Sequence, residues 1–385
     1  MMEKCPVCGS PEVQEILSLD HQPIYQHPVV SADAIKEPYF KDLTYFFCKK
    51  CEHCFQKTPD ISVLEKLYQD HYYTPRPPDI GVQFQNQFIQ TLLERFKVLT
   101  PSSSILEVGC SAGEMLTKIN RLFPDTVLAG FEPNTQTAER ASASGFLVYG
   151  QFFTNRASQK IKRKFDLIFH RHVIEHVFDF EDFFQAHQNV RHSETILIVE
   201  TPCLNWSIHH QNMAGFHVEH VHVFSIMSLK RLLENHNWYL NAYEETSNGH
   251  LIALFTRVKS RISVPGVGNP FQLSLWIEKN KNILEKAVHG KKLALWGAGS
   301  GGVKVMNYFN VCPDIIVDSN PDKAGKIFVG YAHLKIANAD AWIEQECNNS
   351  RSWLILVAST YFEEIQERLG QAGWEGDVLK PYSPL

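Results

Sequence analysis

Short unbroken apolar runs, each ending in a turn and followed by a helical period, recur through the middle of the chain. In SSSILEVGCSAGEMLTKI an apolar strand from Ile105 to Val108 leads into a glycine-containing turn, Gly109 to Gly113, and then a helix start. TVLAGFEPN supplies a second such run, FDLIFHRHVIEH a third and ETILIVETP a fourth. Continuous rather than alternating apolarity is what strands covered on both faces require, and strand, turn and helix in that order build a doubly wound parallel sheet. Upstream, SVLEKLYQDHYYTPRPPD is helical until Pro75, Pro77 and Pro78 stop it, and FQNQFIQTLLERFKVL predicts a second helix. EHVHVFS alternates like a strand edge or a loop and leads into the helix SIMSLKRLLENH. From about residue 262 the pattern starts again: the helix PFQLSLWIEKNKNILEKAV, the strand, glycine turn and helix of KKLALWGAGSGGVKVMNYF, strands in DIIVDSNPDKAGK and SWLILVAST, and the helix FEEIQERLGQAGW. The fold class is α/β, with domains expected at residues 1–60, 61–260 and 261–385.

With 385 residues, 44% of them hydrophobic and 12% aromatic, the chain is too long for one ordinary core and too apolar for disorder. Lys plus Arg, 37, nearly balance Asp plus Glu, 42, so the net charge of −5 supplies no basic field for nucleic acid. No window reaches the ~18 uninterrupted apolar residues of a membrane span, and MMEKCPVCGS has no apolar stretch behind a basic end. A soluble, cytoplasmic protein, monomer or homodimer, acting on a small molecule is expected, with neither nucleic acid nor membrane as partner. No internal repeat or low-complexity tract is present.

Five of the nine cysteines fall before residue 55, as CPVC and CKKCEHC. One CxxC pair places two thiolates on one metal, and a second closes a tetrahedral shell, so Cys5, Cys8, Cys48 and Cys51 are expected to hold a structural zinc, with Cys54 able to replace Cys51 in the other register. Redox pairs or plain buried thiols are the alternatives. A shell filled by protein leaves no open position, so such an ion organises a small fold and does not catalyse. His53 reads as a surface side chain.

In the middle domain, Gly109 and Gly113 let backbone approach a ligand, Glu107 ends the first strand, and Glu132 ends the second, 25 residues on, where a ribose diol would lie. A dinucleotide turn is the other reading of such a loop, but GCSAG lacks the GxGxxG spacing that a pyrophosphate needs. The ExGCSxG turn, Glu132 and FDLIxxxHVIEH together resemble class I S-adenosylmethionine-dependent methyltransferases, with their Rossmann-like core. That resemblance implies that Glu107, Gly109 and Gly113, with Cys110 and Ser111, line the methionyl part of the cofactor. It places Glu132 on the ribose hydroxyls with Pro133 beside it, Gln151 and Phe152 at the adenine, and His170 at the crevice. The family usually has an acid where Gln151 stands.

Histidines crowd residues 170–222: His170, His172 and His176, then His209, His210, His217, His220 and His222. The HExxH spacing of helical zinc enzymes is absent, and hydrogen-bonded or solvent-facing histidines are the ordinary reading. The order of a CxxC…CxxC knuckle, a methyltransferase core with an EH pair before an FS helix start, and a C-terminal GAGSGG unit is similar, over essentially the whole chain, to sugar C-methyltransferases acting on nucleotide-linked 4-keto-deoxyhexoses. The resemblance implies His220 as the base that removes the proton alpha to the ketone, Glu219 orienting it or gripping the sugar, and His176 as hydrogen-bond donor near the enolate oxygen. An imidazole suits such work because its ordinary pKa lies near neutral pH. Tyr72 or Tyr73 matches a tyrosine that closes over the sugar, and His217 and His222 line the acceptor side. The sequence departs from the family at His217 and Val223, where tyrosines are common, and in TPRPPDIG, which replaces a serine-rich segment.

In the C-terminal domain Gly297, Gly299, Ser300 and Gly301, with Gly302, could open a helix N-terminus to a pyrophosphate, with Asp318 ending the next strand. The alternative is a docking domain that keeps its glycines for tight strand-to-helix geometry. Where the resembling family often has Trp-Asn-Tyr, this chain has Ala358, Ser359, Thr360 and Tyr361. Two rival functions share these features: an O- or N-methyltransferase for another small molecule or a polysaccharide unit, and a non-catalytic zinc-containing binding protein.

Overall fold

Adjacent residues of the first predicted strand, Ile105 and Leu106, are both buried, so that strand is covered on its two faces as its unbroken apolar run requires. The computed structural model describes residues 3–33, 35, 38–68, 79–101, 103–359 and 361–380. Tyr72, Tyr73 and the three prolines that follow them lie outside the described residues. The chain divides into two compact units: residues up to Val13, Cys48–Asn205 and Val221–Gly266 form the first, and Gln14–Phe47, Trp206–His220 and the chain from Val267 onward form the second.

A seven-stranded sheet organises the first unit. Its strands are β1 (Ser104–Val108), β2 (Val127–Phe131), β3 (Leu147–Tyr149), β4 (Phe165–Arg171), β5 (Arg191–Pro202), β6 (Tyr239–Glu245) and β7 (His250–Thr256), in the order β6-β7-β5-β4-β1-β2-β3. The first five pair in parallel, and β7 runs antiparallel to both β5 and β6. The FDLIFHRHVIEH segment is strand only to Arg171; a short 3-10 turn, Ile174–His176, follows. Short β3, with only three residues, and the antiparallel pair β6–β7 were not expected from the sequence.

The helices that cover this sheet start at side-chain caps. Asn134 accepts from the Thr137 N–H ahead of Thr135–Ala143, Asp179 from Asp182 ahead of Phe180–Val190, and Ser225 forms a capping box with Ser228 at the head of Ile226–Asn235. On one side Phe88 and Leu92 pack with Met115, Leu116 and Ile119 over Ile105, Leu167, Phe169, Ile198 and Ile252. Burying so many aliphatic and aromatic side chains, each at roughly 1.5–3 kcal/mol, is what holds the strand ends in place.

The second unit carries a five-stranded parallel sheet in the order β10-β9-β8-β11-β12, from β8 (Lys292–Trp296), β9 (Ile315–Asp318), β10 (Ile336–Asn338), β11 (Trp353–Val357) and β12 (Asp377–Leu379). Its core joins Trp296, Trp342, Trp353 and Trp374 to Ile343, Ile355 and Leu369. The N-terminal strands Val13–Pro23 and Phe40–Cys48 belong largely to this unit, and Val29 bridges to Ile327. Among the described residues, no helix is long and apolar enough to cross a membrane.

Candidate active site and metal sites

The carboxyl ends of β1 and β2 face a turn built for close approach. Gly109 and Gly113 have φ of 75° and 83°, in the left-handed region that glycine adopts without steric cost. Ser111 shares that conformation at φ 50°. The Glu132 carboxylate, buried at the end of β2, accepts the Ser111 N–H at 3.0 Å with one oxygen and the Asn134 N–H at 2.9 Å with the other. Each oxygen keeps a second lone pair, the acceptors a diol would use. Burial raises the Glu132 pKa and the two N–H groups oppose that shift.

Glu107, in β1, is buried, and its Oε2 has no hydrogen-bond partner. Burial pushes its carboxyl up to about 8, with Arg171 opposing and Glu114 and Glu132 adding to the shift. A buried acid of this kind offers a counter-charge to a cation only on losing its proton. Cys110 is buried, whereas Ser111 and Pro133 are half-buried. Gln151 is exposed and Phe152 half-buried just past β3. His170 is placed otherwise: its ring is fully buried, 5.4 Å from Phe183 and 5.8 Å from His187, and so is packed in the core instead of being open to the crevice. Burial holds it neutral, its pKa pushed down to about 3.

Register brings together side chains that the sequence reading did not connect. Arg171 pairs with Glu200 across β4 and β5, and Glu200 stands opposite Ile252 of β7, two residues from His250. Arg171 forms an ion pair with Glu200, and His250 Nδ1 lies 2.9 Å from Glu200 Oε1. Burial alone would raise the Glu200 pKa, but the Arg171 charge, the His250 hydrogen bond and His172 outweigh it and hold the group ionised. His172 sits on a left-handed backbone, φ 53°, with Nδ1 3.2 Å from Glu175 Oε1, and Thr201 donates to the other Glu175 oxygen at 3.1 Å. His176 places Nδ1 2.7 Å from the Tyr68 hydroxyl. His222 is committed internally, with Nδ1 3.1 Å from His53 Nε2 and Nε2 3.0 Å from the Val177 carbonyl. His53, expected at the surface, is fully buried against His222 and Phe224 because that hydrogen bond and the apolar wall take it in.

The four N-terminal cysteines Cys5, Cys8, Cys48 and Cys51 converge, their sulfurs all within 4.8 Å of one another, with Cys5–Cys51 at 3.5 Å and Cys8–Cys48 at 3.6 Å. A tetrahedral zinc with Zn–S near 2.3 Å needs an edge of about 3.8 Å, so the donor set fits. Cys54 is buried and is not among the four that converge.

In the second unit, His217, Glu219 and His220 gather around residues the sequence reading missed. Gln26 Nε2 lies 3.0 Å from His217 Nδ1 and 3.5 Å from Glu219 Oε1, and the His217 and His220 rings are 3.8 Å apart. Tyr45 donates to the backbone oxygens of His217 and His220, at 3.0 and 3.1 Å. His220 Nδ1 is 2.9 Å from the Gly215 carbonyl oxygen, which only accepts, so Nδ1 carries the hydrogen and Nε2 is the basic nitrogen. Buried Lys304 reaches the Ala214 carbonyl at 3.2 Å; burial pushes its pKa down to about 8 against the pull of Glu219.

The Gly297–Gly301 turn opens the helix Ser300–Tyr308, and Gly302 is required there because a Cβ would stand 2.0 Å from the Gly297 carbonyl oxygen. Asp318 is already engaged, accepting from Ala298 N–H at 2.7 Å, Asn320 N–H at 2.8 Å and Lys323 at 2.9 Å. It braces the turn as Glu132 braces the first one.

Residues 82–242 match the family model of a methyltransferase domain. None of the curated proteins searched matches the chain. Among solved structures, the magnesium protoporphyrin IX methyltransferase of Synechocystis PCC 6803 with bound SAM is similar at 11% identity, over 52% of this chain and 99% of its own, with a TM-score of 0.38. A SAM-dependent methyltransferase from Aquifex aeolicus is similar at 15% identity over 52% and 100%, with a TM-score of 0.38. The geranyl diphosphate C-methyltransferase of Streptomyces coelicolor A3(2) is similar at 10% identity over 47% and 77%, with a TM-score of 0.37. The first unit is thus an α/β unit built on a doubly wound, mostly parallel sheet, and the segment matching the methyltransferase-domain model lies largely within it.

Proposed function

We propose that the chain is an S-adenosylmethionine-dependent methyltransferase that methylates carbon on a nucleotide-linked keto-deoxysugar. The observation that carries the donor half is the Glu132 carboxylate, which braces the glycine turn through Ser111 and keeps acceptor lone pairs, within a segment matching a methyltransferase domain. When bound, S-adenosylmethionine supplies an electrophilic methyl group. Glu132 accepts from the ribose hydroxyls, the 109–113 turn admits the methionyl part, Glu107 faces its positive charge, and Gln151 with Phe152 flanks the adenine.

For the acceptor, the reading assigns proton removal alpha to the ketone to His220 Nε2, the nitrogen left basic by the Nδ1 contact with Gly215. Glu219, with Gln26, orients the sugar, and His176 donates to the developing enolate oxygen. The turn at Gly297, Gly299, Ser300 and Gly301 is read as the contact for the pyrophosphate. Cys5, Cys8, Cys48 and Cys51 hold a structural zinc that stabilises the local fold.

Titration calorimetry of the zinc-replete protein with S-adenosylhomocysteine, followed by thymidine-, guanosine- and cytidine-linked keto-sugars, tests both halves. Micromolar binding of the first, one nucleotide sugar binding on top, and deuterium exchange at its alpha carbon support the reading. Cofactor binding with no exchange transfers it to O- or N-methylation, and no binding of either ligand removes it.

A further inference from the structure

We propose that His172, Glu200 and His250 form a second metal site in the first unit, for a divalent first-row transition ion of the zinc type. The three residues come from the end of β4, β5 and the start of β7, and one ligand atom from each lies within 4.8 Å of the others. His250 Nδ1 stands 2.9 Å and His172 Nε2 4.0 Å from the same oxygen, Glu200 Oε1, and the two imidazole rings are 4.6 Å apart. The longer distance is beyond hydrogen-bond reach, whereas ligand atoms held at about 2.0–2.2 Å around one ion stand roughly 3–4 Å apart.

The supports around these residues are those of metal ligands. A ligating histidine is held by a carboxylate on its other ring nitrogen, and His172 has Glu175 Oε1 there at 3.2 Å, while Thr201 donates to the second oxygen of that carboxylate at 3.1 Å. Glu200 gives one oxygen to the cluster and the other to Arg171. Two imidazoles and one carboxylate supply three ligands, the number that leaves a fourth position for water or a substrate oxygen. The His172 side chain is 35% exposed, so this position has an approach from solvent. With Arg171 positive and Glu175 negative beside it, a divalent ion on one carboxylate leaves net positive charge, which suits an anionic or enolic oxygen. That last step, the oxygen being the acceptor's, rests on the methyl-transfer reading; the ion site does not.

The test is metal binding by the full chain with its cysteine cluster filled by zinc. Cobalt(II) is added, the protein is separated from free metal, and metal per chain and the visible spectrum are measured. The wild type is expected to take up one cobalt equivalent beyond zinc, with no thiolate charge-transfer band. His172→Ala and His250→Ala should take up none while keeping the zinc equivalent and an unchanged circular dichroism spectrum. Glu175→Gln should weaken the cobalt by about 10- to 100-fold. No second equivalent in the wild type, uptake that survives both histidine substitutions, or a thiolate band on the added cobalt overturns the proposal and leaves the cluster as an ion-pair network. Binding of S-adenosylhomocysteine, measured separately, reports on the methyl-transfer reading and is independent of either result.

Discussion

Glu107→Gln is the substitution that isolates the electrostatics of the donor site. The carboxyl is buried, one oxygen lacks a partner, and its pKa is pushed up to about 8 by burial. An acid whose folded pKa is raised stabilises the fold fully below its unfolded value and loses that contribution as pH rises through the folded one. The ligand-free protein should therefore lose stability between about pH 4.5 and 8. At 1.36 kcal/mol per unit the ceiling is about 5 kcal/mol, reduced by whatever water or relaxation the ionised group recruits. Glu107→Gln, neutral at every pH, should abolish this slope and raise stability at pH 8. At pH 7 a group titrating at about 8 is mostly protonated, and a bound cation lowers its pKa and so releases a proton. Calorimetric titration with S-adenosylmethionine at pH 7, in buffers of different ionisation enthalpy, counts the proton; Glu107→Gln should bind with close to none released. Equal proton counts in wild type and variant, or parallel stability curves by urea unfolding at pH 6 and 8, would refute the reasoning.

Glu132→Ala removes a carboxylate that braces Ser111 and Asn134, and S-adenosylhomocysteine affinity should fall by about 1–3 kcal/mol, or roughly 5- to 150-fold, by calorimetry; unchanged affinity removes Glu132 from the site. Cys48→Ser should lose bound zinc and solubility together, and a soluble, zinc-free variant with native circular dichroism would count against a structural ion. In the second unit, Gly302→Ala drives a Cβ to 2.0 Å from a backbone oxygen and should cost about 3 kcal/mol or more in urea unfolding, while a neutral result would show that the turn can open. His220→Ala should keep affinity for cofactor and sugar nucleotide yet slow methyl transfer at least ~100-fold, and a smaller loss would move the base elsewhere.

The apolar run at Ile105 to Val108, the glycines after it, Glu132 and the paired CxxC motifs are local signals, and each was legible because strand burial, left-handed turns and thiolate pairs place their demands on neighbouring residues. That Cys51 and not Cys54 converges with the other three was not legible, because either register satisfies the spacing and only the fold brings the fourth sulfur within 4.8 Å. Nor was the burial of His53 and His170, whose partners His222 and Phe183 lie in other elements. The Arg171–Glu200–His250 cluster had no sequence signal at all: its members are 29 and 50 residues apart, and an antiparallel β7 is needed to set His250 beside Glu200. Likewise Gln26 meets His217 across 191 residues. By itself the sequence determined the α/β class, the glycine turn after the first strand and the two CxxC pairs as local units, because these follow from contacts within a few residues. Sheet register and chain crossing decided which distant polar side chains share a buried space, because that depends on which strands pair and not on what stands next in the chain.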